Sequence, residues 1–188
     1  TLLEYDNVIN EQREIIYEKR NLILDQESIH ELVLESFHNF VEDNLYEHTK
    51  DGNFNECDKN EIIEYFNGLL STPLTEDDLN NREAREAEEI IYTRLVDSYE
   101  EKIKDVPEEV TNEFEKAITL RVIDTYWMEH INTMSHLREG IHLRSYAQNN
   151  PLREYKNEGY VLFDELLSKI DAQTTTYLLK AEVRQNSE

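Results

Sequence analysis

The chain has 188 residues, with 42 Asp/Glu against 19 Lys/Arg for a formal net charge of −23, and only 4 Gly and 3 Pro. So few turn-forming residues exclude a strand-rich fold. The apolar 38%, with 11 Tyr and 6 Phe, excludes disorder, and the acidic excess repels a phosphate backbone, so nucleic acid is not an expected partner.

The spacing predicts a first helix over residues 2–24, where Leu2, Tyr5, Val8/Ile9, Gln12, Ile16 and Leu22/Ile23 share one face. Asp25-Gln26-Glu27-Ser28 breaks it. Ser28 with Glu31 has the form of a capping box opening a second helix through Leu32, Val33, Phe37, Phe40, Val41 and Leu45, ending near His48. Residues 49–57 read as a loop turning at Gly52-Asn53. Asp58 with Glu61 resembles another cap, before Ile62, Ile63, Tyr65, Phe66, Leu69 and Leu70. Ser71-Thr72-Pro73 ends that short helix. Thr75 with Asp78 opens the next, which runs to Lys104; its polar start, Asn80-Asn81-Arg82-Glu83, leaves open a separate first piece. Asp105-Val106-Pro107 is a helix start, since proline at the first helical position loses no needed hydrogen bond.

From there one apolar stripe runs through Ala117, Leu120, Ile123, Trp127, Ile131, Met134, Leu137 and Ile141 to about His142. After Ser145–Pro151 a second stripe passes through Tyr160, Phe163, Leu167, Ile170, Thr174 and Tyr177 towards Val183, with Asn150-Pro151 as its cap and Gly159 a weak point unless close packing needs it. Two long helices joined by a short polar turn fold back on each other to bury such stripes. From Thr111 onward 9 Lys/Arg face 12 Asp/Glu, which leaves 10 against 30 in the first 110 residues. The tip runs the other way: Arg138, Arg144, Arg153 and Lys156 outnumber Glu139 and Glu154 between residues 138 and 156. Arg144 and Tyr146 have no evident core duty there.

Little chemistry is legible. Neither Gly-rich phosphate-loop pattern occurs, so no nucleotide site is expected in this chain. HExxH is absent, and the six His show no ligand spacing, so no metal site is expected. No nucleophile–base arrangement stands out, and the expected catalytic set is empty. Cys57 is alone, which fits a reducing compartment. No apolar run approaches the roughly 20 residues of a membrane span. The pattern is already running at Thr1 without an initiator Met or signal peptide, so the chain is read as a piece of a longer protein. Trp127 reads as a core anchor or as an interdomain contact, and Tyr146 as an exposed turn residue or a binding one.

Several stretches carry a resemblance. Leu3-Glu4-Tyr5-Asp6-Asn7-Val8, followed by Gln12-Arg13 and Ile16-Tyr17, resembles the start of the long scaffold helix of the SecA family of preprotein translocase motors. Ile123-Asp124-Thr125-Tyr126-Trp127-Met128-Glu129-His130 is similar to that family's Trp-centred segment. Leu137 to Gln148, Leu-Arg-Glu-Gly-Ile-His-Leu-Arg-Ser-Tyr-Ala-Gln, is similar to its LRxGIHLRxYAQ signature, and Pro151 with Glu154-Tyr155-Lys156 continues it. The acidic middle matches only in length and helical character. Ser145 stands where Gly is common and Met128 where Lys is frequent, which leaves open a housekeeping or an accessory form.

The resemblance implies an all-α chain: a long scaffold helix over 1–24, a helical wing over 25–108, and an antiparallel two-helix finger returning to the scaffold over 109–188. It implies part of an ATP-driven translocase that moves preproteins through the SecYEG channel, working with the rest of the SecA motor at the cytoplasmic face of the membrane. ATP and Mg would bind the parent protein, and no cofactor this chain. Tyr146, with Arg144, Ser145, Ala147 and Gln148, would meet channel and translocating chain, and Trp127, Arg138 and His142 would take part in restraining the ATPase. The alternatives are a free-standing acidic helical interaction module and, more remotely, a helical metal enzyme built on clustered carboxylates.

Overall fold

The computed structural model describes residues 2–49, 56–144 and 150–183, without the side chains of 56 and 57. Among them are seven helices and no strand: α1 (Leu2–Asp25), α2 (His30–Thr49), α3 (Glu56–Asn67), α4 (Glu76–Leu79), α5 (Ala84–Ile103), α6 (Glu108–Arg144) and α7 (Pro151–Lys180). The all-α expectation holds. None of these helices is long and apolar enough to cross a membrane.

Local chemistry explains most of the boundaries. At α4 the Asp78 carboxylate accepts the Thr75 backbone N–H at 2.8 Å and the Thr75 hydroxyl at 3.2 Å. The Thr75 backbone bond is the main cause that holds this carboxyl below its ordinary range. At α7 the Asn150 side chain accepts the Arg153 N–H at 3.1 Å, with Pro151 in the first helical position. Two expectations change, and one choice left open by the sequence falls to the separate first piece. Ser28 Oγ accepts the N–H of His30, two residues on, so its cap is a short turn instead of the reciprocal box with Glu31. α3 starts at Glu56, which places Asp58 inside the helix rather than at its cap. The helix expected from Thr75 to Lys104 is two pieces, interrupted where Asn81 takes φ 58°, a left-handed conformation that Asn tolerates and a helix does not. The turn expected at Gly52-Asn53 and the fraying expected from Arg184 to Glu188 lie outside the described residues.

The chain divides into two compact units, Thr1–Glu27 with Thr119–Ile170, and Ser28–Ile118 with Asp171–Glu188. This division counts the start of α6 and the end of α7 with the segment from α2 to α5. In the second unit Val33, Phe37, Phe40, Val41 and Leu45 of α2 are buried, as are Ile62 and Phe66 of α3, Leu79 of α4, and Ala87, Ile91, Leu95 and Tyr99 of α5. Phe37 and Tyr99 pack in a T-shaped pair, as do Phe40 and Phe66. Arg94 ties α5 to the α3–α4 connection through the Pro73 carbonyl, 2.9 Å, and to α4 through Asp78.

The first unit is a three-helix arrangement with Tyr5, Met134, Ile141 and Tyr155 at its centre, flanked by Val8, Ile9, Leu137, Leu152 and Leu162. The stripes are more polar than expected. Ala117, Tyr160 and Tyr177 are exposed, while Glu115, Thr119 and His130 are buried on α6. At 1.5 Å per residue, a 37-residue helix such as α6 drifts round its own axis, so one straight stripe cannot describe its full length of about 55 Å.

Candidate functional site: the clasped end of a helical hairpin

The order of contacts gives the direction of each helix in the first unit. From α6 to α7, Arg144 meets Glu154 and Glu158, Met134 lies against Gly159, and Glu129 meets Lys169. Numbers fall on one helix as they rise on the other, so these parts of α6 and α7 are an antiparallel hairpin. α1 also opposes α6, through Asp6–Arg138, Gln12–His130 and Arg20–Asp124. It therefore runs parallel to α7, and Tyr5–Tyr155 and Gln12–Gly159 follow that order.

The end of the hairpin next to the α6–α7 connection is held by charge. Arg144 Nη1 donates to Glu154 Oε1 at 3.0 Å, and Nη1 and Nη2 donate to the two oxygens of Glu158 at 3.2 and 2.9 Å. This two-pronged geometry is the one a guanidinium offers a carboxylate. It pulls the Glu158 carboxyl below its ordinary range, chiefly through the hydrogen bond from Arg144. Behind the clasp, Arg138 Nη1 donates to Asp6 at 2.8 Å and its guanidinium lies 5.1 Å from the centre of the Tyr5 ring. His142 and Tyr155 flank the same ring at 5.6 and 5.1 Å.

Farther along, a hydrogen-bonded joint links all three helices. Gln12 Nε2 donates to the Gly159 carbonyl at 3.1 Å, which turns Gln12 Oε1 towards His130 Nε2 at 2.7 Å. An amide oxygen only accepts, so His130 carries its proton on Nε2. The Trp127 and Phe163 rings lie 5.6 and 5.8 Å from the imidazole, both tilted against it. Burial pushes the His130 pKa down. Trp127 itself is only 5% exposed.

A family model for the SecA wing and scaffold domain matches residues 1–182. The chain belongs to that family. As a SecA wing and scaffold domain it has a part in SecA-type protein translocation. Of the residues expected at the SecA functional sites, the fold brings Arg138 and His142 together on Tyr5, with Arg144 clasped at the hairpin end and Trp127 buried beside His130. Ser145, Tyr146, Ala147 and Gln148 lie outside the described residues.

The expected cationic tip is corrected at two of its four cations. Arg144 is matched by Glu154 and Glu158, and Arg138 by Asp6. Glu158 and Asp6 fall outside residues 138–156, the window in which cations outnumber acids. The joint was also missed in part. Gln12 is visible in the sequence as a polar residue on the apolar face of α1, but His130 is read there, with the other His, only for ligand spacing. Its signal was its place three residues after Trp127 and four before Met134, on the buried stripe.

In the second unit the buried carboxylate of Glu115, fully shielded from solvent, is met by His30 Nδ1 at 2.8 Å and by the Tyr99 hydroxyl, which donates at 2.9 Å. Burial is the first cause that raises the Tyr99 phenol well above its ordinary value, with the charge of Glu115 behind it. This is a structural polar knot between α2, α5 and α6.

Proposed function

We propose that the α6–α7 hairpin is the two-helix finger of a SecA motor, and that Tyr146 at its turn contacts preproteins on their way through the SecYEG channel. The observation that carries this reading is the Arg144 clasp. It fixes Arg144, the residue of α6 that immediately precedes Ser145 in the sequence, against α7. Tyrosine suits a sequence-tolerant contact, because its ring stacks and its hydroxyl hydrogen-bonds with any polypeptide. Arg144 acts in this reading through the clasp as well as by contact.

Trp127, Arg138 and His142 are proposed to transmit the state of the finger to α1 and thence to the motor's ATPase. Their contacts with His130, Asp6 and Tyr5 support this assignment. Leu2, Leu3, Ile15, Tyr160 and Val161 leave large apolar side chains exposed on α1 and α7, a surface suited to the rest of the motor. ATP and Mg act in that remainder, at the cytoplasmic face of the membrane, and the segment from α2 to α5 is the wing. The test is Tyr146→Ala in the full-length protein. Translocation is expected to fall while basal ATP hydrolysis holds, and a cross-linker at position 146 is expected to capture a stalled substrate. Unchanged translocation with no capture would reject the tip assignment.

A further inference from the structure

We propose that His48, Asp58 and Glu61 form a site for one divalent transition-metal ion of the zinc type, joining the last turn of α2 to the first half of α3. His48 Nδ1 lies 3.9 Å from Asp58 Oδ1 and 3.7 Å from Glu61 Oε2. The three donor atoms fall within 4.8 Å of one another. Both distances exceed a hydrogen bond. They approach the spacing of two donors on one ion, about 3.4 Å for bonds of 2.0–2.2 Å arranged tetrahedrally. Asp58 and Glu61 are three apart on α3, hence on one helix face.

His38 shows why this arrangement differs from chance pairing in an acidic chain. It too has two carboxylates at similar range, Glu42 at 3.8 Å and Glu89 at 3.9 Å. Those two face opposite ring nitrogens, Nδ1 and Nε2, so the two acids do not converge on one donor atom of the imidazole. At His48 both carboxylates face the same nitrogen, Nδ1. Three donors therefore converge on one point, where a cation also offsets the repulsion between the acids. The side chains of His48 and Asp58 are 28% and 26% exposed and that of Glu61 is 67% exposed. Two ligands are thus held by the fold, and the third is free to close over an arriving ion. One imidazole nitrogen with two carboxylate oxygens selects zinc-type ions over Mg2+ or Ca2+, which prefer oxygen alone. Water completes the coordination.

The test uses the 188-residue chain stripped with chelator and titrated with ZnCl2 by calorimetry, with CoCl2 as a spectroscopic probe. One ion per chain is expected, at an affinity that drops about tenfold or more in His48→Ala and in Asp58→Asn and is unchanged in His38→Ala. Circular dichroism of the metal-free variants checks that each is folded. Co2+ on the unsubstituted chain, which needs no variant, is expected to shift the ring protons of a single histidine, the one missing from the His48→Ala spectrum. No stoichiometric binding, binding that survives His48→Ala in full, or equal loss in His38→Ala would overturn the site and leave an adventitious ion only.

Discussion

A Cβ placed on Gly159 would stand 2.8 Å from Met134 Cε and 3.8 Å from Val8 Cγ1. Helix propensity favours Ala over Gly by about 1 kcal/mol, and the closest atom is the end of a flexible thioether that can move aside. Gly159→Ala is therefore expected to leave the urea midpoint nearly unchanged. Gly159→Leu has no such escape between Met134 and Val8, and is expected to cost about 1–3 kcal/mol; a neutral Leu variant would contradict the close approach of α1, α6 and α7. His130 is read by pH. Burial lowers its pKa in the fold, so on acidification the unfolded chain takes up the proton first. The contribution is complete above about pH 6.5 and is lost as pH falls through the lowered folded value. Denaturant unfolding from pH 7.5 to 5 is expected to show a steeper loss of stability in the parent chain than in His130→Gln. Equal slopes would mean that His130 is not held neutral by burial.

The α6–α7 hairpin depends, at the end next to its connection, on Arg144 clasping Glu154 and Glu158. Glu158→Gln removes the charge from the two-pronged bond and leaves Glu154 as the remaining carboxylate partner, whereas Arg144→Ala removes every bond of the clasp. Amide exchange in residues 141–144 and 151–155 is expected to quicken in the order parent, Glu158→Gln, Arg144→Ala, as followed by mass spectrometry, and an unchanged pattern in Arg144→Ala would show that packing alone holds the ends. The hairpin itself was legible, because apolar residues recurring every three or four positions and the Asn150-Pro151 cap are local signals. The interruption between α4 and α5 was only half legible: the polar run Asn80–Glu83 was visible, but Asn81's left-handed backbone was not. Buried Glu115 could not be read from sequence, since its burial depends on His30 and Tyr99 arriving from other helices. The same holds for the Arg144 clasp and for His48 with Asp58 and Glu61, whose partners are set by tertiary folding.

Over the whole molecule, α6 and α7 are each counted in both compact units, while the charge is concentrated towards the start of the chain. The first 110 residues carry 30 Asp/Glu against 10 Lys/Arg, and from Thr111 onward 12 face 9. Salt has two opposing effects on such a molecule. It weakens exposed attractive pairs, such as Arg20–Asp124 and Arg82–Glu86, but pairs of this kind contribute only about 0–1 kcal/mol each. It also screens the repulsion among the excess carboxylates, which extends over about 10 Å at 0.1 M ionic strength and about 30 Å at 0.01 M, and which favours the expanded unfolded chain. With a net charge of −23, the second effect is the larger. The thermal midpoint is therefore expected to rise as NaCl increases from about 0.01 to 0.2 M, with most of the rise at the low end, where the screening length changes fastest. Calorimetry at fixed pH in chelated buffer measures this without a contribution from metal binding. A midpoint that falls with salt would show that the ion pairs outweigh the acidic excess.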